Sequence, residues 1–418
     1  MAVLHGDNPT HAIVMVGLPA RGKTYVARKI MRYLSWLGHK TQLFNVGNYR
    51  REHIGSLQAH GFFDPANPDG VRQRTDMALM ALDDMLRWFG EGGEVAIYDA
   101  TNSTRERRRL IQEHCERANA RVIFIESICD EAIVEVNVRN TKLDSPDYVG
   151  IDPDVAVADF RARIAHYARA YEPVDEQEGS YIKLIDVGRQ VNVNLIHGYL
   201  GSRLVSFLVN LHNVPRPIWL TRHGQTEYNV DGRIGGNSSL SEWGRRYAQN
   251  LKRFYDEVIA PQGPPEVWTS TLVRTHETAS ILGRQTLQWR ALNEIEAGIC
   301  DGLTYAEIKD RYPEEWRARS RDKTGYRYPQ GESYMDVIQR AEPVILELER
   351  QKKPVMIISH QAVLRSIYGY LMGHEPDQIP HLSIPLHTVL ELTPKAYGLA
   401  EQRIQLGPAV PAHAGPSS

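Results

Sequence analysis

The chain has 418 residues, of which 42% are hydrophobic and 24% charged, and its formal net charge is −2. Such a composition is typical of a globular protein of two to three domains, and the small net charge favours neither nucleic acid nor an anionic membrane as a partner. No apolar stretch approaches the roughly 20 residues of a membrane span. The three widely spaced cysteines, Cys115, Cys129 and Cys300, are typical of a reducing cytoplasm.

The first predicted elements are a strand, a glycine-rich loop and a helix. An apolar run at 12–16 is followed by GLPARGKT at 17–24, which fits the pattern G-x-x-x-x-G-K-[ST]. Apolar residues at helical spacing then predict a helix over 25–37. The pattern therefore has the strand-loop-helix context that a nucleotide-phosphate loop needs.

The residue types in this loop suit the binding of phosphate. Gly17 and Gly22 allow backbone N–H groups to turn toward an anion, and the helix N-terminus adds partial positive charge. Lys23 can reach the β- and γ-phosphates of a nucleotide, and the hydroxyl of Thr24 can hold Mg²⁺. The flanking elements favour this interpretation over a chance glycine turn.

Two further strand ends carry polar candidates. Arg50 and Arg51 follow a strand predicted at 41–46, at the edge of an open α/β sheet where ligands bind, although a solvated turn is equally compatible with them. A short strand at 95–98 delivers Asp99, whose carboxylate can hold Mg²⁺ or contact the attacking group. The alternative for Asp99 is an N-cap of the following helix.

The rest of the first half alternates between helices and strands. These elements are predicted at 77–89 (helix), 121–128 (strand), 159–171 (helix) and 181–187 (strand). Their alternation predicts a parallel sheet. A basic cluster at 104–109 opens a helix and is either a solvated face or, in part, a site for an anionic acceptor. The two prolines within 210–217 predict a linker to a second half.

The second half again places polar residues after strands. Strands are predicted at 218–221, 266–270 and 355–359, and they lead to Arg222 and His223, to Arg274, and to His360. In a parallel sheet these ends converge on one edge. A single histidine at a strand end is usually structural, but two histidines with two arginines favour catalysis.

The chemistry of this cluster suits phosphoryl transfer. A neutral imidazole is a competent nucleophile toward phosphorus, and the charged equatorial oxygens of the transferred group call for cationic donors. The departing alkoxide needs a proton, which calls for a carboxylic acid nearby. Metal is not required, and the sequence shows no close metal-ligand spacing here.

An ordered set of motifs resembles the 6-phosphofructo-2-kinase/fructose-2,6-bisphosphatase family over about residues 12–400. The first half carries GLPARGKTY (17–25), YRRE (49–52), DATN (99–102), TRERR (104–108), IESIC (125–129) and SPDY (145–148). The second half carries RHG (222–224), GRIGG (232–236), NEI (293–295), YPQGESY (328–334), HQAV (360–363) and PLHTVL (385–390). Either a phosphate loop or Arg-His-Gly alone would indicate only a superfamily.

The resemblance implies the fold class and the domain organisation. It implies a P-loop NTPase-like parallel-sheet kinase domain at 1–214, followed by a histidine-phosphatase (phosphoglycerate-mutase-like) α/β domain at 215–405. The composition of 406–418 predicts a disordered tail. The resemblance also implies ATP and Mg²⁺ for the kinase half, no cofactor for the phosphatase half, fructose 6-phosphate and fructose 2,6-bisphosphate as substrates, a homodimer and a cytoplasmic location.

The resemblance further implies site residues. The catalytic residues are Asp99 and Cys129 in the kinase half, with His223 as nucleophile, Glu294 as proton donor and His360 as phosphoryl stabiliser in the phosphatase half. ATP would be bound by Gly17, Gly22, Lys23, Thr24, Tyr25, Asn137 and Lys142, and Mg²⁺ by Thr24. Fructose 6-phosphate would be bound in the kinase half by Arg50, Arg74, Thr101, Arg107, Lys142 and Tyr199. The sugar bisphosphate would be bound by Arg222, Asn229, Gly235, Arg274, Tyr305, Arg319, Lys323, Tyr334, Gln361 and Arg365.

The chain departs from the family pattern at Leu195, where the family usually has an arginine in the fructose 6-phosphate site. Leucine cannot bind phosphate, so the kinase would bind its acceptor weakly unless another cation such as Arg189 compensates. The segment 60–70 also differs from the family. These departures leave open a sugar-phosphate-binding regulator in which the phosphatase half alone is active. A polynucleotide kinase fused to a phosphatase is another rival, which the near-neutral charge disfavours.

Overall fold

The computed structural model describes residues 10–56, 58–139, 147–212, 214–395 and 398–407. Contacts between Cα atoms divide the chain into two compact units, with the division between His212 and Val214, except that residues 36–38 group with the second unit. Most of the predicted disordered tail, 408–418, and the predicted ligand Lys142 lie outside the described residues. Among the described helices, none is long and apolar enough to cross a membrane.

The first unit alternates strands and helices, as the sequence predicts. Its strands are β1 (Thr10–Val16), β2 (Thr41–Asn45), β3 (Val95–Asp99), β4 (Ala120–Ile128), β5 (Tyr181–Ile185) and β6 (Gln190–Asn194). Its helices are α1 (Lys23–Trp36), α2 (Val46–His53), α3 (Pro68–Gly90), α4 (Arg105–Arg117), α5 (Glu131–Asn137), α6 (Pro153–Arg169) and α7 (Gly198–Leu208). The strand order is β2-β3-β1-β4-β5-β6, and all neighbours are parallel except β5 and β6.

The apolar runs of the sequence form the centre of this sheet. Residues 12–16 of β1 and 95–99 of β3 are all buried, because a parallel sheet with crossover helices is covered on both faces. Side chains on one face of these strands pack with Phe44, Phe124 and Met85 in one hydrophobic cluster. The polar residues that follow the strands are therefore left at the carboxyl edge of the sheet.

Several elements of the first unit differ from the prediction. Helices α2, α5 and α7 were not predicted, and α6 begins at Pro153 rather than at Asp159. Helix α3 begins at Pro68 rather than near Met77, because Asn67 caps it by accepting the N–H of Gly70 and a proline suits its first turn. These first turns are polar, so the apolar periodicity did not include them. Strand β6 was not predicted, because Gln190–Asn194 is short and largely polar.

The second unit is a second sheet with helices. Its strands are β7 (Ile218–Arg222), β8 (Glu266–Thr269), β9 (Thr286–Gln288), β10 (Val355–Ser359), β11 (Thr388–Lys395) and β12 (Gly398–Gln405). Its helices are α8 (Glu227–Val230), α9 (Glu242–Phe254), α10 (Val273–Ser280), α11 (Tyr305–Arg311), α12 (Pro313–Arg321), α13 (Tyr334–Arg350) and α14 (Gln361–Met372). The strand order is β12-β11-β7-β10-β8-β9, in which β7, β10, β8 and β9 are parallel and β11 pairs antiparallel with both its neighbours.

The three strands predicted in this half lie side by side at the centre of the sheet. Trp219, Val267 and Met356, one from each strand, are buried in a single hydrophobic cluster with residues of α9. The pairing aligns Ser359 with Arg222, so β7 and β10 end together. The residues after the strands therefore share one edge, as the parallel arrangement predicts.

A buried ion pair ties α4 of the first unit to the segment before β5. Arg108 Nε and Nη2 donate to Glu178 Oε2 and Oε1 at 2.6 and 2.8 Å. Arg108 Nη1 donates to the carbonyl oxygens of Asn102 and Glu172 at 3.1 and 2.8 Å. Both side chains are buried, so the cost of removing their charges from water is offset by these hydrogen bonds.

We predict that Arg108→Met lowers the free energy of unfolding of the first unit by about 3–5 kcal/mol, because it leaves the buried Glu178 without its cation. The measurement is hydrogen–deuterium exchange of the backbone amides of β3 and β4 at increasing urea concentrations. The urea concentration at which half of their protection is lost gives the midpoint of unfolding. Arg109→Ala is the control, because Arg109 is exposed in its pair with Glu113 and should contribute less than about 0.5 kcal/mol. Equal effects of the two changes would contradict the account.

Candidate active sites

The loop between β1 and α1 has the backbone geometry of a phosphate cradle. Gly17 has φ of +132° and Gly22 has φ of +76°, both favourable for glycine alone. A Cβ on residue 17 would lie 2.6 Å from the carbonyl oxygen of Ser127, whereas no atom lies within 4 Å of a Cβ on residue 22. The loop is thus packed against β4 on one side and open on the other, and α1 begins at Lys23.

Several predicted ATP-site residues contact this loop. Lys23 Nζ donates to the carbonyl oxygen of Leu18 at 2.7 Å, which holds the ammonium against the loop. Asn137 Nδ2, at the end of α5, donates to the carbonyl oxygen of Ala20 at 2.9 Å. The structure therefore places Lys23 and Asn137 together, although they are more than 100 residues apart in sequence.

Cys129 and Tyr25 also lie beside the loop. Cys129 Sγ is 3.7 Å from the carbonyl oxygen of Arg21, and burial raises the pKa of its thiol. The hydroxyl of Ser127 donates to the same carbonyl. Tyr25 points differently, because its hydroxyl donates to the carbonyl oxygen of His212 at 3.4 Å.

Asp99 ends β3 next to the cradle and is buried. Its Oδ2 accepts from Asn45 Nδ2 at 2.5 Å, and the N-cap of the following helix α4 is Thr104. Thus the alternative interpretation of Asp99 as an N-cap is wrong. Nearby, the N–H of Gly17 donates to the carbonyl oxygen of Thr101 at 2.9 Å, which links this segment to the phosphate loop.

Arginines gather around one carboxylate beside this edge. Arg50 Nη2 lies 2.7 Å from Asp147 Oδ1, and Arg163 Nη1 lies 3.2 Å from Asp147 Oδ2. Burial lowers the pKa of Arg74, and the nearby cations Arg107 and Arg163 lower it further. Three guanidinium groups, those of Arg50, Arg51 and Arg163, contact the one carboxylate of Asp147, and Arg74 and Arg107 lie close to this group. The cluster therefore carries an excess of positive charge, which suits an anionic ligand.

The arginines are held by contacts with neighbouring segments. Arg74 donates to the carbonyl oxygen of Phe62, and Arg107 Nη2 donates to Thr75 Oγ1 at 2.9 Å. Arg163 stacks on the ring of Phe63, with its guanidinium carbon 3.7 Å from the ring centroid. The segment 60–63 therefore supports this cluster directly.

Two residues expected at the sugar site lie apart from these contacts. Tyr199 is 63% exposed on α7, and among the described residues its ring contacts Arg203 rather than an arginine of the cluster around Asp147. Leu195 is 57% exposed and has φ of +50°, an unfavourable backbone conformation for leucine. The side chain of Arg189, the cation expected to compensate for Leu195, is 82% exposed, and its Nη1 lies 3.9 Å from Asp186 Oδ2.

In the second unit, one arginine joins the two histidines that follow the strands. Arg274 Nε lies 3.2 Å from His223 Nε2 and 3.1 Å from His360 Nδ1. All three side chains are buried, and Arg274 Nη1 donates to the carbonyl oxygen of Gly236 at 2.7 Å. The residues His223, Arg274 and His360, which the sequence places after three different strands, are thus in contact through Arg274.

Both imidazoles are held neutral. Burial lowers the pKa of His223 well below its ordinary value, and the cations Arg274 and Arg222 lower it further. Burial and then Arg274 lower the pKa of His360 in the same way. Because the carbonyl oxygen of Gly224 can only accept, the proton of His223 is at Nδ1, 2.7 Å away, and Nε2 carries the lone pair. That nitrogen is the nucleophilic one.

Glu294 lies at the N-terminus of α14, the helix that begins directly after His360. Its carboxylate accepts the N–H groups of Gln361 and Ala362, each at 3.1 Å, and that of Ile295 at 3.0 Å. The predicted proton donor and the predicted phosphoryl stabiliser are therefore held together by one helix start. The role predicted for Gln361 is a side-chain contact with substrate, whereas its backbone here positions Glu294.

A second cationic pocket has aromatic walls. The guanidinium of Arg319 lies 5.4 Å from the ring centroid of Tyr305 and 5.8 Å from that of Tyr328. Arg365 Nη1 donates to the hydroxyl of Tyr334 at 3.1 Å. Burial, with Arg365 and Arg319 nearby, lowers the pKa of Lys323 to about 8. Apart from Tyr328, which was not predicted, these residues belong to the set predicted to surround the sugar bisphosphate.

Arg222 Nε and Arg319 Nη1 are among the buried N–H groups that have no hydrogen-bond acceptor in the described part of the chain. Burial lowers the pKa of Arg222 to about 10, so it stays a cation at neutral pH. Buried donors of this kind are usually satisfied in proteins, so both sites favour an anionic ligand.

Asn229 and Gly235 take structural positions near the cluster. Asn229 and Thr226 form a reciprocal cap at the start of α8. Gly235 has φ of +69°, and a Cβ there would lie 1.7 Å from Asp301 Oδ1. Glycine at 235 is therefore required by the close approach of Asp301.

Sequence reasoning missed two arginines that belong to these sites. Arg163 lies within α6, far from any motif, and only the fold brings it to Asp147. Arg340, on α13, pairs with Glu332 at 2.7 Å and donates to the carbonyl oxygens of Asn293 and Glu294 at 2.8 and 3.2 Å. Neither has a local sequence signal, because each acts through residues distant in the chain.

Comparisons with known proteins match both halves. The protein-family model described as 6-phosphofructo-2-kinase matches residues 2–215. The model of the histidine phosphatase superfamily (branch 1) matches residues 218–406. These matches confirm the predicted fold class of each half.

Relatives of similar sequence have names that combine both activities. The 6-phosphofructo-2-kinase/fructose-2,6-bisphosphatase of Arabidopsis thaliana is 52% identical over 402 residues, which are 94% of this chain and 54% of that protein. The protein of the same name from Gallus gallus is 49% identical over 94% of this chain and 84% of its own length. The human 6-phosphofructo-2-kinase/fructose-2,6-bisphosphatase 4 is 48% identical over 95% of this chain and 85% of its own length.

We predict that the second unit loses stability as the pH falls below about 6.5, the ordinary pKa of histidine. The unfolded chain then takes up protons at His223 and His360 that the native state does not, so the free energy of unfolding falls by up to about 1.4 kcal/mol per pH unit for each histidine. Above about 6.5 both states are neutral and this contribution is constant. The measurement is the urea midpoint of the unit between pH 7.5 and 5.5.

His360→Gln should reduce this pH dependence, since it removes one of the two groups. A stability that rises toward pH 5.5, or a slope unchanged by His360→Gln, would contradict the burial of neutral imidazoles.

Proposed function

The chain belongs to the 6-phosphofructo-2-kinase/fructose-2,6-bisphosphatase family, and we propose that it makes fructose 2,6-bisphosphate from ATP and fructose 6-phosphate in its first unit and hydrolyses it in its second. One observation carries this proposal. A single chain holds a phosphate cradle beside an arginine cluster on one sheet edge, and a pair of histidines joined by an arginine on another. We propose the domain limits 1–214 and 215–405 for the two activities.

In the kinase unit, catalysis consists mainly of positioning and charge neutralisation. The cradle and Lys23 would hold the phosphates of ATP, with Asn137 fixing the loop. The 2-hydroxyl of fructose 6-phosphate would attack the γ-phosphorus, with Asp99 beside the attacking group. The predicted arginines Arg50, Arg74 and Arg107 would bind the 6-phosphate, and Arg163, which contacts Asp147 together with Arg50, is an addition to the predicted set.

The residues present fit a magnesium ion. The Thr24 hydroxyl and the Asp99 carboxylate are hard oxygen ligands, and Mg²⁺ is usually held by one or two such groups together with substrate phosphates and water. When bound, the ion neutralises charge that develops on the β- and γ-phosphate oxygens. The amide of Asn45, which donates to Asp99, would keep the carboxylate oriented toward the cradle.

In the phosphatase unit, His223 Nε2 would attack the phosphorus of the 2-phosphate, and the bond from phosphorus to the C2 oxygen would break. Glu294, protonated in that step, would give its proton to the leaving oxygen and fructose 6-phosphate would depart. Glu294 would next take a proton from water, whose oxygen attacks the phosphohistidine. The bond from phosphorus to nitrogen then breaks, inorganic phosphate leaves, and His223 is regenerated.

Cations in this unit would divide between the two phosphates of the substrate. Arg222 and Arg274 would clamp the transferred group, since Arg274 already contacts the nucleophile. Arg319, Lys323 and Arg365 would bind the 6-phosphate, which stays on the product. The buried unsatisfied N–H groups of Arg222 and Arg319 support these two positions.

We further propose a cytoplasmic homodimer. The cysteines Cys115, Cys129 and Cys300 are all free and buried, which suits a reducing compartment. Strand β6 is at the edge of the first sheet and exposes Val193, and an edge strand of this kind can pair with that of a second copy.

A second candidate function follows from Leu195. If the missing cation abolishes acceptor binding, the protein would bind sugar phosphates and hydrolyse fructose 2,6-bisphosphate without making it. The three arginines that contact Asp147 favour retained kinase activity, since they supply positive charge without residue 195.

We predict that His223→Ala abolishes phosphatase activity and leaves kinase activity, whereas Lys23→Met does the converse. Each change removes the reacting or phosphate-binding group of one unit. The measurement is a pair of steady-state assays on each purified variant, one with ATP and fructose 6-phosphate and one with fructose 2,6-bisphosphate. Loss of both activities in a folded His223→Ala protein would refute two separate sites, and kinase turnover in Lys23→Met would refute the cradle.

We predict that Leu195→Arg lowers the kinase KM for fructose 6-phosphate by about tenfold or more, because it adds a charge-assisted hydrogen bond to phosphate. Leu195→Met is the matched control, since it changes shape but adds no charge, and should leave KM unchanged. If Leu195→Arg has no effect while Arg189→Ala raises KM, Arg189 is the compensating cation and the assignment of residue 195 is wrong.

A further inference from the structure

Ser270 lies directly behind His360 in the phosphatase unit. It follows the end of β8, its side chain is fully buried, and its Oγ lies 2.8 Å from both His360 Nε2 and Thr275 Oγ1. The N–H of Leu272 donates to the same oxygen at 3.1 Å. Ser270 Oγ therefore has three hydrogen-bond partners and one proton of its own to give.

The proton positions follow from groups that can only donate or only accept. Arg274 Nε can only donate, so His360 Nδ1, 3.1 Å away, carries the lone pair. A neutral imidazole has a single N–H, which is therefore at Nε2 and donates to Ser270. At the other end, the hydroxyl of Thr275 donates to the carbonyl oxygen of Leu272 at 2.8 Å, so Thr275 accepts the proton of Ser270. Both ends give the same direction.

His223 has the opposite tautomer, with its proton at Nδ1 on the carbonyl oxygen of Gly224. The lone pairs of His223 Nε2 and His360 Nδ1 thus point at the same N–H of Arg274. A phosphoryl group that enters here needs a nucleophile from one ring and a donor from the other. His360 becomes that donor when Nδ1 is protonated, which the negative oxygens of the phosphoryl group would favour, since Nε2 remains bonded to Ser270.

We propose that Ser270, with Thr275 behind it, is a positioning residue that fixes His360 in the Nε2–H form, so that Nδ1 faces the transferred phosphoryl group and can be protonated beside it. This inference rests on the proposed phosphatase function. It assigns to the hydroxyl pair a task that apolar residues of similar size could not perform.

The kinetic test uses Ser270→Ala and Thr275→Val in the full chain. Ser270→Ala leaves the buried Nε2–H without an acceptor, so kcat for fructose 2,6-bisphosphate should fall about tenfold to a hundredfold with KM changed less than about threefold. Ser366→Ala is the matched control, because Ser366 is a buried serine whose hydroxyl donates within α14 to Ala362, away from the histidines. It should keep wild-type kinetics. A Ser270→Ala enzyme within twofold of wild type would overturn the proposal.

The spectroscopic test reads the tautomer without turnover. Nitrogen-15 histidine labelling of the full chain, with His360→Gln to identify the resonances, should show the proton of His360 at Nε2. Thr275→Val removes the acceptor of the Ser270 proton, which then turns to His360 Nε2 and should move the ring proton toward Nδ1. A wild-type proton at Nδ1, or no shift in Thr275→Val, would overturn the proposal.

The two tests fail in distinguishable ways. Wild-type enzyme that does not hydrolyse fructose 2,6-bisphosphate refutes the proposed function, whereas the tautomer measurement decides the Ser270 contact in either case.

Discussion

Parallel strand pairing determines where the chemistry of both units lies. In a parallel sheet the carboxyl ends of the strands share one edge, and here that edge receives the residues that follow β1, β3 and β4 in one unit and β7, β8 and β10 in the other. The buried apolar strands fix the register, so the polar residues that follow them reach their neighbours without long loops. Each site is thus a consequence of burying strands on both faces.

Burial then decides which charge state each group takes. Arginines stay cationic even where burial lowers the pKa, whereas the imidazoles of His223 and His360 become neutral beside them. A neutral nucleophile surrounded by fixed cations is the arrangement that a phosphoryl group with several negative oxygens requires. In the first unit, three cations contact a single carboxylate, that of Asp147.

The sequence predicts those parts of the sites that follow strands directly. The phosphate loop, Asp99, His223, Arg274 and His360 were all placed by local pattern, because a strand end and a residue type suffice to locate them. Arg163 and Arg340 could not be found in this way, since each lies inside a helix and contacts its partner only through tertiary packing. The same holds for β6, in which valines alternate with polar residues over only five positions, too few to identify a strand. The roles of Lys142 and of the individual sugar-binding residues stay predictions.

The central claim is that the phosphoryl group that the first unit transfers to the sugar is removed through His223 of the second unit. The most direct measurement is to incubate the full chain with fructose 2,6-bisphosphate labelled at the 2-phosphate, quench in alkali and locate the label by peptide mapping. The account predicts label on His223 that is chased by unlabelled substrate. Label on His360, or turnover with no labelled histidine, would contradict it.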